Sequence, residues 1–319
     1  MEESVTIVLD SVDLLSGICG ANDKNLKVME DSLGGRIAAR GNEIRLDGVD
    51  EAGVQRFKSM VDSLITVVRE GENPSPEYIQ ALALTMDVPV KDPMHDLAIH
   101  IPHGFRRVYP RSRGQADYIQ GMRACDIAFC IGPAGTGKTY LAIAEALRLV
   151  LSKTLRKLVL TRPVVEAGEN LGFLPGDLAQ KINPYLRPLY DAMESLIPYE
   201  IIHRMEENRS IEIAPLAYMR GRSLNDCMVI LDEAQNTTRE QMKMFLTRIG
   251  TGARAVVTGD VTQVDLPRRL ESGLLHAMDV LRDVEGLHFS YLHTADVVRN
   301  PLIKKIIQAY DEKDAKSTH

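Results

Sequence analysis

The sequence predicts an α/β protein in which a small α+β domain precedes a doubly wound parallel sheet. From residue 115 onward, short apolar runs alternate with helix-like stretches, the order expected for a parallel sheet covered on both faces. Before residue 72 the runs follow another order, and a stretch punctuated by prolines separates the two regions. A chain of 319 residues is long enough for two domains.

The N-terminal region is predicted to fold as βααββα. Its runs are residues 5–9, 11–15, 22–33, 36–39, 44–46 and 51–69, with a hairpin turn at 40–43. A KH RNA-binding module has the same order, and Gly17–Gly20 falls where its G-x-x-G loop would join two helices. Residues 1–89 carry 16 acidic and 8 basic side chains, which disfavours contact with a phosphate backbone. A KH-like RNA-binding domain and a module that docks partners or spaces ring subunits both stay open.

Punctuation by proline and glycine sets the predicted domain boundaries. We expect an N-terminal domain over residues 1–88, a basic linker or hairpin over 89–114, the sheet domain over 115–311 and a flexible tail over 312–319. Residues 101–114 contain four arginines and no acidic side chain: Arg106, Arg107, Arg111 and Arg113. Such a strip suits a contact with nucleic acid, and it equally suits a solvated linker.

The sheet domain is predicted to contain six strands. They are residues 127–131, 157–161, 210–214, 228–231, 255–258 and 287–292. No apolar stretch approaches the roughly 18 residues that span a bilayer, and the chain starts without a basic and apolar leader. We therefore expect a cytoplasmic protein without membrane contact. Its four cysteines lack metal-ligand spacing, so we expect reduced packing residues.

A phosphate-binding loop follows the first of these strands. The segment reads G-P-A-G-T-G-K-T, which matches G-x-x-x-x-G-K-[ST], and a helix-forming stretch comes next. Glycines let backbone N–H groups surround phosphate oxygens, the lysine reaches the β- and γ-phosphates, and the threonine hydroxyl meets Mg²⁺. The sequence therefore predicts ATP and Mg²⁺ as ligands. The nucleotide-binding residues predicted here are Gly132, Pro133, Ala134, Gly135, Thr136, Gly137, Lys138, Thr139 and Tyr140, with Lys138 also catalytic.

Two adjacent carboxylates follow the fourth strand of the sheet domain. Asp232 and Glu233 end an apolar run and open the sequence D-E-A-Q-N. Carboxylates at the end of a buried strand need a cation or a reacting water to offset their desolvation. We expect Asp232 to hold the Mg²⁺ shell and Glu233 to polarise the attacking water.

Two glutamines and a tyrosine complete the predicted nucleotide site. Gln263 follows the fifth strand and could hydrogen-bond the γ-phosphate or its water. Gln115 lies about 20 residues before the loop, where its amide can read the adenine edge. Tyr118, three residues further on, can stack on the base.

These motifs together resemble the first motor domain of superfamily 1 helicases, which has a RecA-like P-loop NTPase core. Seven segments carry a closer resemblance: Thr161–Pro163, Glu166–Glu169, Leu171–Asp177, Pro184–Pro188, Tyr218–Arg222, Asp232–Asn236 and Val297–Arg299. Together they resemble the PhoH-like ATPases, and the acidic N-terminal region is similar to the YbeZ-type branch of that family.

The resemblance implies ATP hydrolysis coupled to RNA handling, with an endoribonuclease of the YbeY type as partner and a role near ribosomal RNA maturation. Only about 20 residues follow the motif that comes after the sixth strand, so we expect no second motor domain and an arginine supplied by a neighbouring subunit. A homo-oligomer, in particular a hexameric ring, would provide it. Arg299 is the first candidate for the γ-phosphate contact, and Arg220 and Arg222 are candidates for a trans-arginine or for RNA contact.

The sequence leaves other functions open. A nucleotide-gated adapter would switch its affinity for RNA or a partner without unwinding. A small-molecule phosphotransferase is disfavoured by the D-E-A-Q and G-D-x-x-Q motifs. In residues 162–191, the interleaved Lys181, Tyr185 and Arg187 suit either single-stranded RNA or subunit packing.

Overall fold

A computed structural model describes residues 3–69, 71, 73–85, 97–163, 178–267 and 269–297, and for residues 3, 84, 85 and 178–185 it describes the backbone only. The chain divides into two compact units. One comprises Met1–Ala98 with Tyr109–Arg113, and the other comprises Ile99–Val108 with Gly114–His319. The predicted basic linker is thus divided between both units. No helix in the described ranges is long and apolar enough to cross a membrane.

The N-terminal unit has the element order expected from its sequence, followed by one more helix. The elements are β1 (Glu3–Val8), α1 (Val12–Cys19), α2 (Lys24–Leu33), β2 (Arg36–Arg40), β3 (Glu43–Val49), α3 (Glu51–Arg69) and α4 (Pro76–Thr85). The three strands form an antiparallel sheet in the order β1-β3-β2. Helix α3 buries Val54, Phe57, Val61 and Leu64 at helical spacing, so its apolar stripe forms the core of the unit.

The Gly17–Gly20 segment is not the loop that the sequence suggested. Gly17 lies in the last turn of α1, and Ile18 and Cys19 are buried in the core, so this part of the segment is helical and does not form an open loop. Gly20 ends the helix with a φ of 71°, and a short 3₁₀ turn at Ala21–Asp23 makes the connection to α2. The expected G-x-x-G loop was wrong because tertiary packing, which a glycine spacing does not report, continues the helix through Cys19.

The second unit contains the predicted parallel sheet. Its elements are β4 (Ile99–His100), β5 (Arg107–Val108), α5 (Arg113–Ala124), β6 (Ile127–Ile131), α6 (Lys138–Leu151), β7 (Lys157–Arg162), α7 (Leu178–Glu194), α8 (Tyr199–Glu207), β8 (Ile211–Pro215), β9 (Cys227–Leu231), α9 (Arg239–Leu246), β10 (Arg254–Gly259), α10 (Gly273–Val280) and β11 (Leu287–Tyr291). Strands β4 and β5 pair as a two-stranded hairpin. The other six strands form one sheet in the order β11-β6-β10-β9-β7-β8, and each pair is parallel.

Both faces of this sheet are buried, which explains why its strands read as continuous apolar runs. In β9, Met228 and Ile230 face a core cluster shared with α5 and α6, whereas Val229 and Leu231 face a second cluster shared with α9 and α10. Because all six strands run the same way, their carboxyl ends meet at one edge. Strand β10 lies between β6 and β9, so the segments after these three strands become neighbours there.

The arginines of the predicted basic strip have contacts within the protein. Arg106 donates from Nη1 to the carbonyl of Ser195 at 2.8 Å. Arg111 lies 3.7 Å from a carboxylate oxygen of Glu77. A purely solvated linker is therefore the wrong description of these two side chains.

We predict that Gly17→Ala destabilises the N-terminal unit. A Cβ at this position would lie 2.8 Å from Cγ1 of Val68, so α1 and α3 would be forced apart at a cost of about 1 to 3 kcal/mol. Hydrogen exchange of the α1 and α3 amides in the full chain measures the loss. Ser16→Ala, on the exposed face of the same helix, serves as the control and should leave exchange unchanged. Weaker RNA binding with undiminished protection would instead favour a G-x-x-G role for Gly17.

Candidate nucleotide-binding site

The loop between β6 and α6 has the geometry of an anion cradle. Gly135 and Gly137 adopt φ values of 80° and 83°, a backbone conformation that residues with a Cβ rarely adopt. At Gly132 a Cβ would lie 2.5 Å from the carbonyl oxygen of Leu292, so only glycine fits beside that backbone. Helix α6 begins at Lys138, and its positive dipole end therefore points at the loop.

The side chain of Lys138 lies within the loop. Its Nζ donates to the carbonyl oxygens of Gly132 at 2.6 Å and Pro133 at 2.8 Å. Burial lowers the pKa of this ammonium group, and the nearby carboxylates of Asp260 and Glu233 act in the opposite direction. A triphosphate in the cradle would supply further negative charge that favours the protonated lysine.

Asp232 is the point where three strand ends are connected. Its Oδ1 accepts from the hydroxyls of Thr139 and Thr258, both at 2.6 Å, and its Oδ2 accepts from Nε of Arg162 at 2.8 Å. The residue is only 3% exposed. Its own backbone N–H donates to the carbonyl of Thr161 at 2.9 Å, which fixes the turn after β9.

Glu233 is held in a less common backbone conformation. Its φ of 54° and ψ of 40° lie in the left-handed region, which costs a non-glycine residue about 1 kcal/mol or more. Its Oε1 accepts from Nη2 of Arg162 at 3.0 Å, and its Oε2 accepts from Nε2 of Gln235 at 2.7 Å. The side chain is 44% exposed, so a water molecule can reach it.

The segment after β10 is tied to the phosphate loop by Asp260. One carboxylate oxygen, Oδ2, accepts from the backbone N–H of Ala134 at 3.1 Å and from Nε2 of Gln263 at 2.7 Å. Gln235 accepts from the N–H of Asp260 at 3.0 Å and donates to the carbonyl of Gln263 at 3.2 Å. These hydrogen bonds join the segment after β9, the segment after β10 and the phosphate loop into one group.

The two residues expected to recognise adenine occupy buried positions. Gln115 donates from Nε2 to the carbonyl of Thr136 in the phosphate loop at 2.9 Å. Tyr118 is 0% exposed, and its hydroxyl donates to the carbonyl of Lys138 at 3.3 Å. The ring of Tyr118 therefore has no face available to a base, and its expected stacking was wrong. Helical periodicity turns this residue toward the core, where it packs against β6 and α6.

A cleft of about 280 Å³ lies over these groups. Its lining includes Thr139, Asp232 and Glu233, together with Arg162 and Gln263. The hydroxyl of Thr139 and the carboxylate of Asp232 are hard oxygen donors, which fit Mg²⁺. Neither here nor elsewhere in the described ranges does a group of three or more His, Cys, Asp or Glu side chains lie together so as to hold a metal. Few protein ligands suffice for Mg²⁺, because it keeps several waters and binds phosphates.

Arg220 and Arg222, two of the arginines proposed from sequence, do not belong to the described lining of this cleft. Arg222 donates to both carboxylate oxygens of Glu212, at 2.5 and 2.9 Å, and Lys157 pairs with the same carboxylate. Arg220 is exposed. Arg299 lies outside the described residues, as do the side chains of Lys181 and Tyr185. Arg187 pairs with Asp191 at 2.8 Å on its own helix.

Sequence reasoning missed three residues of the site, namely Arg162, Thr258 and Asp260. Each stands at or directly after the carboxyl end of a strand in the parallel sheet. That position was the available signal, since side chains there converge on one edge. Which of them would meet Asp232 depends on the strand order, and the strand order was not readable from the sequence.

Comparison with known proteins gives consistent matches. The family model described as "PhoH-like protein" matches residues 107–311. A PhoH-like protein of Bacillus subtilis is 44% identical over 309 residues, covering 96% of this chain and 97% of that protein. One from Mycobacterium bovis is 46% identical over 300 residues, covering 93% and 85% respectively. Protein PhoH of Escherichia coli is 40% identical over 205 residues, which is 64% of this chain and 58% of that protein.

We predict that Arg222→Gln lowers stability in a pH-dependent way. The hydrogen bonds of Arg222 are the largest cause that lowers the pKa of Glu212 from 4.5 to about 2. A carboxylate whose pKa is depressed by folding contributes stability above its ordinary pKa, and this contribution is lost as the pH falls toward its folded pKa. The stability gap between wild type and Arg222→Gln should therefore be constant from pH 7 to about 5 and shrink below about 4.5. Urea unfolding across this range measures it.

The control for this experiment is Arg204→Gln. Arg204 is an exposed arginine without an ion pair among the described residues, so its replacement changes the net charge equally. A gap of the same size and pH profile in both variants would contradict a specific Arg222–Glu212 pair.

Proposed function

Because the chain belongs to the PhoH-like protein family, we propose that it is a Mg²⁺-dependent ATP hydrolase that acts in RNA metabolism. The observation that carries the proposal is the meeting of Thr139, Asp232 and Glu233 in one cleft beside the phosphate loop. A loop alone would fit many nucleotide-binding proteins. An aspartate placed to hold Mg²⁺, followed by an accessible glutamate that can act as a general base, adds the groups that hydrolysis needs.

The phosphate loop would bind the triphosphate tail. Backbone N–H groups between Gly132 and Thr139 would donate to the phosphate oxygens, and Lys138 would turn from the loop carbonyls toward the β- and γ-phosphates. The Thr139 hydroxyl and the Asp232 carboxylate would hold Mg²⁺, which when bound neutralises and aligns the phosphate oxygens. Thr258 keeps the Asp232 carboxylate in place by donating to the oxygen that Thr139 also contacts.

Glu233 would act as the general base. Its Oε1 and Oε2 each accept one hydrogen bond among the described residues, from Arg162 and Gln235, and each keeps a second lone pair for a water. The carboxylate takes a proton from that water as the water oxygen bonds to the γ-phosphorus. The bond between the γ-phosphorus and the bridging oxygen breaks, and ADP leaves with the electron pair.

Asp260 and Gln263 would report the state of the γ-phosphate to the rest of the unit. Asp260 accepts from Ala134 in the loop and from the amide of Gln263, so a phosphate that takes over the Ala134 N–H changes the partners of both residues. The adjoining Gln235 carries the same change to the turn that holds Glu233. Through this connection, the ATP-bound and ADP-bound forms would differ in the arrangement of the side chains around the cleft.

The RNA-related part of the proposal rests on the resemblance to the YbeZ-type branch. It comprises RNA as the partner, an endoribonuclease of the YbeY type, a ring of identical subunits and a cytoplasmic location. Tyr218 and Arg220 are both exposed after β8 and offer one aromatic and one cationic group to a single strand. ATPase activity measured with and without single-stranded RNA tests this part. An unchanged rate would leave hydrolysis without the proposed RNA coupling.

A nucleotide-gated adapter is the second candidate. It is favoured by the same Asp260 connection, which can convert nucleotide state into a change of shape without strand separation. An adapter should bind RNA or its partner with an affinity that differs between ATP and ADP, and it should not unwind a duplex. ATP-dependent unwinding that Lys138→Ala abolishes would exclude it.

We predict that Glu233→Gln separates binding from turnover. The amide cannot accept the proton of the attacking water, so kcat should fall by about 10² to 10⁴ while the affinity for ATP stays within a few fold. Steady-state hydrolysis and fluorescence titration with a labelled nucleotide measure the two quantities. Glu207→Gln, at an exposed position of α8, is the control. Full turnover by Glu233→Gln would remove the proposed role.

We also predict that Thr258→Val raises the Mg²⁺ requirement. Valine has the shape of threonine but cannot donate to Asp232, so apparent Mg²⁺ affinity should fall about 10-fold. Titration of Mg²⁺-dependent nucleotide binding gives the midpoint, and Thr258→Ser should restore it. An unchanged midpoint in Thr258→Val would show that this hydroxyl does not orient the carboxylate.

A further inference from the structure

Arg162 is the cation that faces both carboxylates of the site. It is the last residue of β7, and its side chain is 14% exposed at the wall of the cleft. From Nε it donates to Asp232 at 2.8 Å, and from Nη2 it donates to Glu233 at 3.0 Å. One guanidinium therefore spans the proposed metal-holding residue and the proposed general base.

The electrostatics of the cleft change when a nucleotide enters. Two adjacent carboxylates repel each other, and the guanidinium offsets this repulsion in the free protein. A magnesium nucleotide supplies the carboxylates with another cation and brings a charged triphosphate into the same space. The terminal phosphate is then an anion that competes with Asp232 for the arginine.

We propose that Arg162 contacts the γ-phosphate of the nucleotide bound to its own chain, and this rests on the proposed ATP hydrolysis. A guanidinium presents five donors in a fixed plane, so one edge can keep the contact with Glu233 while another turns to a phosphate oxygen. In this position it stabilises the charge that develops on the transferring phosphoryl group and holds the general base beside it. Arg162 thereby supplies in cis the arginine that the sequence led us to expect from Arg299, Arg220 or Arg222 of a neighbouring subunit.

The competing explanation is that Arg162 only neutralises the two carboxylates. In that case the loss of Arg162 would destabilise the protein and weaken the binding of all nucleotides alike, because the repelling carboxylates would lie beside any bound phosphate. If Arg162 contacts the γ-phosphate, its loss instead lowers the affinity for ATP and leaves the affinity for ADP unchanged. The preference for ATP over ADP is therefore the decisive quantity, and it does not depend on turnover.

The first experiment measures this preference in the full chain with Mg²⁺. Arg162→Ala should lower the ratio of affinities for a non-hydrolysable ATP analogue and for ADP by about tenfold or more, and Arg162→Lys should recover part of it. The matched control is Arg148→Ala. Arg148 also pairs with a buried carboxylate, Glu145 at 2.5 Å, but does not line the cleft. An unchanged ratio in a folded Arg162→Ala protein, verified by its thermal unfolding, would overturn the proposal.

The second experiment distinguishes an arginine in cis from one in trans. Arg162→Ala and Glu233→Gln are co-expressed with different tags, and assemblies that carry both tags are purified. If the arginine acts in cis, every site lacks one group, and ATPase activity stays near the weighted mean of the two variants. If it acts in trans, some interfaces combine an intact arginine with an intact glutamate, and activity rises toward roughly a quarter of the wild-type rate. That rise would overturn the proposal.

Two further outcomes are informative. If no doubly tagged assembly forms and the wild-type monomer hydrolyses ATP, the arginine must come from the same chain, which supports the proposal. If the wild-type protein hydrolyses no ATP, with or without RNA, the proposed function fails. The ATP and ADP affinities still decide whether Arg162 contacts the γ-phosphate, so the two failures are distinguishable.

Discussion

The Asp232 carboxylate is almost completely withdrawn from water, and each group that stabilises it comes from a different part of the sheet edge. Thr139 comes from the start of α6, Thr258 from β10 and Arg162 from β7. A buried charge without such partners would cost several kcal/mol, so the site forms only when these segments are in their native order. The insertion of β10 between β6 and β9 is the feature that makes this convergence possible. The binding site of this protein therefore depends directly on the strand order of its sheet.

From this carboxylate the hydrogen bonds continue through the neighbouring residues to the phosphate loop. Arg162 links Asp232 to Glu233, Gln235 links Glu233 to the segment after β10, and Asp260 returns to the loop at Ala134. Most members of this circuit lie at strand ends whose positions are fixed by the buried sheet. A change at the phosphate position can therefore alter partners throughout the circuit without deforming the core, because side chains can exchange partners while strands stay packed.

Local patterns were sufficient to predict the six strands and the phosphate loop, because apolar runs and glycine spacing directly reflect backbone geometry. The pair Asp232 and Glu233 was also visible, since its position after an apolar run is unusual. The pairing of Arg162 with both carboxylates was not visible, because it depends on β7 and β9 being neighbours. Tyr118 and Gly17 were misjudged for a related reason, as their roles follow from what packs against them: the core under α5 and the side chain of Val68. Long-range packing is the information that a single sequence gives least well.

The left-handed backbone at Glu233 has a consequence for how this chain can be engineered. Glycine or asparagine adopts that conformation at lower cost, so substitutions chosen only to improve thermal stability would favour replacing Glu233. The same would hold for any procedure that ranks residues by how well they suit the local backbone. Such a protein would keep its fold and its nucleotide cradle while losing the side chain that we propose as the general base. On the proposed mechanism, a substitution at position 233 that raises thermostability lowers turnover, so this residue should be held fixed in any stabilisation of this scaffold.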